Sequence, residues 1–103
     1  MLTKNPFELL QAEAPKAAQA FNNLIESVFS GTGLDEKTRQ LIYIGIKAAQ
    51  GETGAVSAHV PMAKKAGATR DEIRETVLMT LMVSGVTGLT HCLVPALETY
   101  ENC

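Results

Sequence analysis

The residue types that could do chemistry gather around His59. Glu52, Ala55 and His59 stand at i, i+3 and i+7, so a helix there carries all three on one face. At about 1.5 Å of rise per residue, the carboxylate and the imidazole lie about 10 Å apart along the axis. That is too far for a direct hydrogen bond, but it leaves room above the small Ala55 side chain for a water or a small ligand. A glutamate and a histidine so placed would do acid/base work, with Glu52 kept ionised by the positive end of the helix. The plainer reading of the same residues is a glutamate capping its helix and a half-buried histidine.

Other reactive groups are sparse. Cys92 and Cys103 are the two thiols. A peroxide-reducing cysteine needs a thiolate and a resolving thiol, and a free cysteine otherwise reads as a small core residue. His91 precedes Cys92, but neighbours on a helix point about 100° apart. His59, His91 and Glu52 lack the spacing of a metal motif, so neither metal nor cofactor is expected. Lys64, Lys65, Arg70 and Arg74 would attract a carboxylated substrate if gathered. Their local partners favour a solvated face instead, with the lysines in a last helical turn and Asp71 three residues before Arg74. Tyr43, Met62, Met79 and Met82 read as core or interface filling, Tyr43 being a hydroxyl donor if it faces the site.

Composition narrows the partner. The chain has 103 residues, 46% hydrophobic and 19% charged, with a mean hydropathy of +0.06, which excludes wholesale disorder and suits one domain over 1–103. A net charge of -2 and a pI near 5.6 offer no attraction to phosphate backbones or anionic lipid. The expected partners are therefore a small-molecule substrate and further copies of the chain, without nucleic acid or membrane. Two cysteines and an N-terminus lacking an apolar signal core point to a cytoplasmic, reduced setting. The uncharged run Thr76–Leu97 is long enough to span a bilayer, but threonines, glycines and Pro95 divide it into two buried helices.

Helices must position these groups. Phe7, Leu10, Ala14, Ala17, Phe21, Leu24 and Val28 form one stripe at spacings of three and four, divided by Pro15 into helices near 6–13 and 15–30. Asp35 caps a helix over 36–50, apolar nearly all round, that stops at Gly51. A third segment, 52–66, contains Pro61 and closes at Gly67. Thr69 and Glu72 make a capping box that opens a helix through Ser84, with Ile73, Val77, Leu78, Leu81 and Met82 as buried candidates. Val86, Leu89, Leu93, Leu97 and Tyr100 keep the helical period to the end, where Pro95 kinks the segment or starts a fresh turn. The expected class is all-α, with five or six helices and no repeat.

Four segments in order resemble the carboxymuconolactone decarboxylase family, which includes the AhpD-like alkylhydroperoxidases. They are LDEKTRQLI at Leu34–Ile42, AAQGE at Ala48–Glu52, Ala58 with His59, and KAGATRDEI at Lys65–Ile73. The resemblance spans roughly residues 30 to 100 and extends loosely to the last helix. It implies an AhpD-like helical bundle, assembly into trimers or hexamers with sites near subunit contacts, and a functional histidine at His59. In the peroxide-reducing branch a Cys-x-x-Cys pair stands where this chain has Glu52 and Ala55, and an acidic residue stands where it has Gln40. The usual dithiol relay is therefore absent.

The expected function is cofactor-independent acid/base chemistry on a small organic acid or lactone, carried by His59, Glu52 and Gln40. Losing carbon dioxide from a β-keto-type acid leaves an enolate, which needs a proton at carbon and polar groups at oxygen. The alternatives are an AhpD-like antioxidant acting on hydroperoxide or oxygen, and a non-catalytic oligomeric binder.

Overall fold

The computed structural model describes residues 5–103. All regular structure among them is helical, as the residue pattern requires. The chain divides into two compact units that meet in sequence between Gly33 and Leu34.

The first unit holds α1 (Pro6–Glu13) and α2 (Pro15–Phe29). Asn5 caps α1 by accepting from the Phe7 N–H at 2.9 Å, and each helix opens on proline, whose missing N–H costs nothing in a first turn. Ala18 is buried, and the Phe7 and Phe21 rings stack at 6.4 Å. Further along the expected stripe, Leu24 and Val28 remain exposed in the single chain.

The second unit contains α3 (Glu36–Ala49), α4 (Thr53–Lys65), α5 (Arg70–Met79), the single turn α6 (Leu81–Ser84), a π-helical turn (Leu89–Leu93) and α7 (Val94–Asn102). Asp35 caps α3 by accepting from the Thr38 N–H at 2.8 Å. Both α3 and α4 end in Schellman motifs. After α3, Gly51 N–H donates to Ala48 O and Glu52 N–H to Lys47 O; after α4, Gly67 N–H donates to Lys64 O and Ala68 N–H to Ala63 O. The motif needs a left-handed residue, and the two glycines supply it at φ +72° and +102°. So tight a turn after α3 sends α4 back along it, and these two helices make the most extensive contact in the unit. The capping box at α5 is complete: Thr69 Oγ1 accepts from Glu72 N–H, and Glu72 Oε1 accepts from Thr69 N–H. A cap of this kind contributes about 1 kcal/mol.

The apolar faces of α3, α4, α5 and α7 converge on Ile44, Val56, Val60, Ile73, Val77, Cys92 and Ala96, all fully buried. Leu41, Leu93, Leu97 and Tyr100 pack around them. α7 rests on α4 and α5, and Lys64 ties its end down: Nζ donates to Tyr100 O at 2.8 Å and to Cys103 O at 2.9 Å.

Two local expectations are corrected. The helix opened by Thr69 does not run through Ser84; it breaks at Thr80, whose buried hydroxyl donates to Val77 O at 2.7 Å and competes with the helical ladder. Beyond the break, Leu81 and Met82 are exposed, not buried. Pro95 starts a fresh turn. It cannot donate to His91 O four residues earlier, and the Thr53 hydroxyl does so instead at 2.8 Å, joining the start of α4 to the π-helical turn. Pro61, by contrast, is carried inside a continuous α4. Among the described residues no helix is long and apolar enough to cross a membrane.

Candidate acid/base site

Gln40, Tyr43 and Lys47 stand at i, i+3 and i+7 on α3 and present one face to α4. His59, on α4, meets that face. Its Nδ1 lies 2.8 Å from Gln40 Oε1, and its ring stacks on Tyr43 with centroids 3.7 Å apart and planes 23° apart. The Lys47 ammonium sits 6.0 Å from the Tyr43 ring centroid, near enough to act electrostatically on the imidazole.

The amide of Gln40 is 3% exposed, so both of its ends need partners. Its NH2 group donates to Glu36 Oε1 at 2.9 Å, one helical turn earlier. Since Oε1 can only accept, the Nδ1 atom facing it carries the proton when the ring is neutral. Nε2 then holds the lone pair. The half-buried imidazole is pushed below its ordinary pKa, first by loss of solvent and then by the Lys47 charge. The folded chain therefore binds this proton more weakly than the unfolded chain. Its contribution to stability is complete above about pH 6.5 and is lost as pH falls toward the lowered value.

Of the three residues expected to form the site, the structure brings His59 and Gln40 into hydrogen-bond contact. Glu52 is the N-cap of α4, with no side-chain capping bond, and its charge acts on Cys92. The carboxylate connected to His59 is that of Glu36, through Gln40. Glu36 reads from sequence as a partner of the helix dipole, yet its i, i+4 spacing to Gln40 is the signal for this contact. Tyr43 and Lys47 carry a similar signal, since they share a face with Gln40.

Cys92 is fully buried; loss of solvent raises its pKa, opposed by a hydrogen bond to Thr53 and reinforced by Glu52. His91 Nδ1 lies 3.1 Å from Thr87 O within its own helical segment. Among the described residues no three His, Cys, Asp or Glu side chains are gathered as a cation would require. Three of the four basic residues near the α4–α5 turn are engaged, Lys64 by the carbonyls after α7, Arg70 by Glu101 at 2.8 Å and Arg74 by Asp71 at 3.0 Å. Met62 instead helps line a recess of about 720 Å³ that includes Glu36, Lys37, Gln40 and Lys65 and so reaches the amide holding His59. A second hollow, of about 410 Å³, lies on the opposite side of α3, lined by Ile42, Ile46, Met79 and Val83 among others.

A buried thiol with a raised pKa has almost no thiolate at neutral pH. In native protein, a thiol-specific disulfide reagent is accordingly expected to modify Cys103 promptly and Cys92 only after denaturant is added. Prompt modification of both thiols, scored by mass spectrometry of the Cys92 and Cys103 peptides, would contradict this placement.

Comparison with known proteins agrees with the fold. The family model for the carboxymuconolactone decarboxylase family matches residues 15–98. MJ1511 of Methanocaldococcus jannaschii, which has no assigned function, is 29% identical over 91 residues, covering 88% of this chain and 85% of its own. MJ0742 of the same organism, also without one, is 30% identical over 87 residues, covering 84% of each chain. The crystal structure of a candidate carboxymuconolactone decarboxylase from Burkholderia xenovorans LB400 superposes with a TM-score of 0.85, covering 98% of this chain and 78% of that one at 22% identity. That likeness establishes the helical fold, and with the match over 15–98 the chain belongs to the carboxymuconolactone decarboxylase family.

Proposed function

We propose that this protein carries out cofactor-independent acid/base chemistry on a small organic acid or lactone, with His59 exchanging a proton with the substrate. The observation that carries the reading is the placement of the imidazole, with Nδ1 2.8 Å from Gln40 Oε1 and one face stacked on Tyr43. Lys47 supplies the positive charge that a substrate carboxylate or a developing enolate oxygen needs. In a decarboxylation, the carboxylate leaves as carbon dioxide and the carbon–carbon electron pair passes to the carbonyl oxygen. His59 then returns to the enolate carbon a proton it has taken from substrate or solvent. A lowered pKa suits both halves of that exchange, because the ring rests as a base and, once protonated, is a ready acid. Glu52, expected from sequence to take part, is not needed for these steps.

Small β-keto acids and carboxylated lactones incubated in D2O test this reading. Carbon dioxide release with deuterium incorporation at the adjacent carbon is expected, falling about 10²–10⁴-fold in His59→Ala, the range for loss of a general acid/base. Turnover unchanged in His59→Ala, or no exchange with any member of the panel, would refute it.

Assembly belongs to the same proposal. Ile42 and Ile46 on α3, and Met79 and Val83 around the end of α5, are exposed in the single chain and line an apolar hollow, which supports contact between copies of the chain. Sedimentation at micromolar concentration should give a trimer or hexamer; a monomer would overturn the assembly.

A further inference from the structure

Glu36 lies outside the acid/base exchange just described, yet its carboxylate accepts a hydrogen bond from the amide that holds the imidazole. We propose that Glu36 is a positioning residue that sets which nitrogen of His59 carries the proton, acting through the amide of Gln40.

A glutamine side chain is nearly symmetric in shape but opposite in polarity at its two ends, so a half-turn about its last bond exchanges C=O for NH2 at little steric cost. Were the NH2 end aimed at His59, it would donate to Nδ1, and the ring proton would move to Nε2. The outward nitrogen would then be a donor, useless as a base. What forbids the half-turn is Glu36, whose ionised carboxylate accepts and cannot donate. It takes the NH2 end at 2.9 Å and leaves the C=O end, 2.8 Å from Nδ1, as the only one that His59 can meet. A bond to an ionised acceptor is also about twice as strong as a neutral one. Arg39 Nη1, 3.7 Å from Glu36 Oε2, helps hold the carboxylate in place without competing for Oε1. The proton on Nδ1 is thus decided two residues away from the ring. This assignment deepens the reading of His59 as a proton-exchanging group and rests on it for its use, but not for its test.

The test reads the tautomer directly, on ligand-free protein. Nitrogen-15 NMR of the His59 ring, above its titration range, distinguishes protonated from bare ring nitrogens. Wild-type protein is expected to show Nδ1–H alone. In Glu36→Gln, whose amide both donates and accepts, Gln40 is no longer held one way round, and the single-tautomer spectrum should be lost as Nε2–H signal grows in. Adding Gln40→Glu to that variant places an acceptor-only carboxylate against Nδ1 and should restore Nδ1–H, which checks that the lost tautomer reports the polarity of the group at position 40 and not a displaced ring. Nε2–H in the wild type, an unchanged single tautomer in Glu36→Gln, or failure of the double variant to restore it would each overturn the assignment. A tautomer that responds as stated beside a silent substrate panel would support the positioning role and count only against the proposed function.

Discussion

A buried side-chain amide cannot be left half satisfied, and the Gln40 amide, nearly inaccessible between α3 and α4, meets this requirement at both ends. One end reaches Glu36 on its own helix and the other reaches His59 on the next. The geometry of the site follows from those two bonds. They fix the ring's rotation, so that Tyr43, one turn further along α3, can lie flat against it. They also fix the proton on Nδ1 and leave Nε2 with its lone pair. Replacing the amide by an apolar group would orphan the imidazole nitrogen; replacing it by a carboxylate would favour the charged ring and make it a weaker acid once protonated.

The scaffold around this contact works to keep two helices in register. The Schellman turn at Gly51 reverses the chain over a few residues, the Asp35 cap defines where α3 begins, and the Val56, Val60 and Ile44 side chains fill the space beneath. At the far side, Lys64 holds α7 on α4, and the Thr53 hydroxyl, which takes the carbonyl left open by Pro95, joins α4 to the π-helical turn that precedes α7. Cys92 fills this core as an apolar group. Glu52 and Ala55 stand where the resemblance would put a thiol pair, and the remaining internal thiol, Cys92, is buried.

Much of this was legible from residue types. Asp35, Pro15, Gly51, Gly67 and the Thr69–Glu72 box each mark a helix end by a mechanism confined to four or five residues, and those ends stand where read. His59 stands out by its chemistry and Gln40 by the family resemblance. What escaped depends on hydrogen bonds that periodicity does not register. Thr80 looks like any polar residue on a helix until its hydroxyl takes Val77 O, and the π-helical turn at Leu89–Leu93 keeps the same apolar spacing as an α-helix. By spacing, Glu52 shares a helical face with His59. A shared face on one helix is a weaker constraint than a contact between two, and the carboxylate hydrogen-bonded to Gln40 is that of Glu36, on α3.

The central claim is that the His59 imidazole is held neutral and partly desolvated against Gln40, Tyr43 and Lys47. Proton NMR titration of its ring measures this without substrate, with the signal assigned by its loss in His59→Ala. A midpoint below the ordinary imidazole value near 6.5 is predicted. A midpoint at or above that value would contradict the account, since it would mean a ring open to water or stabilised in its charged form.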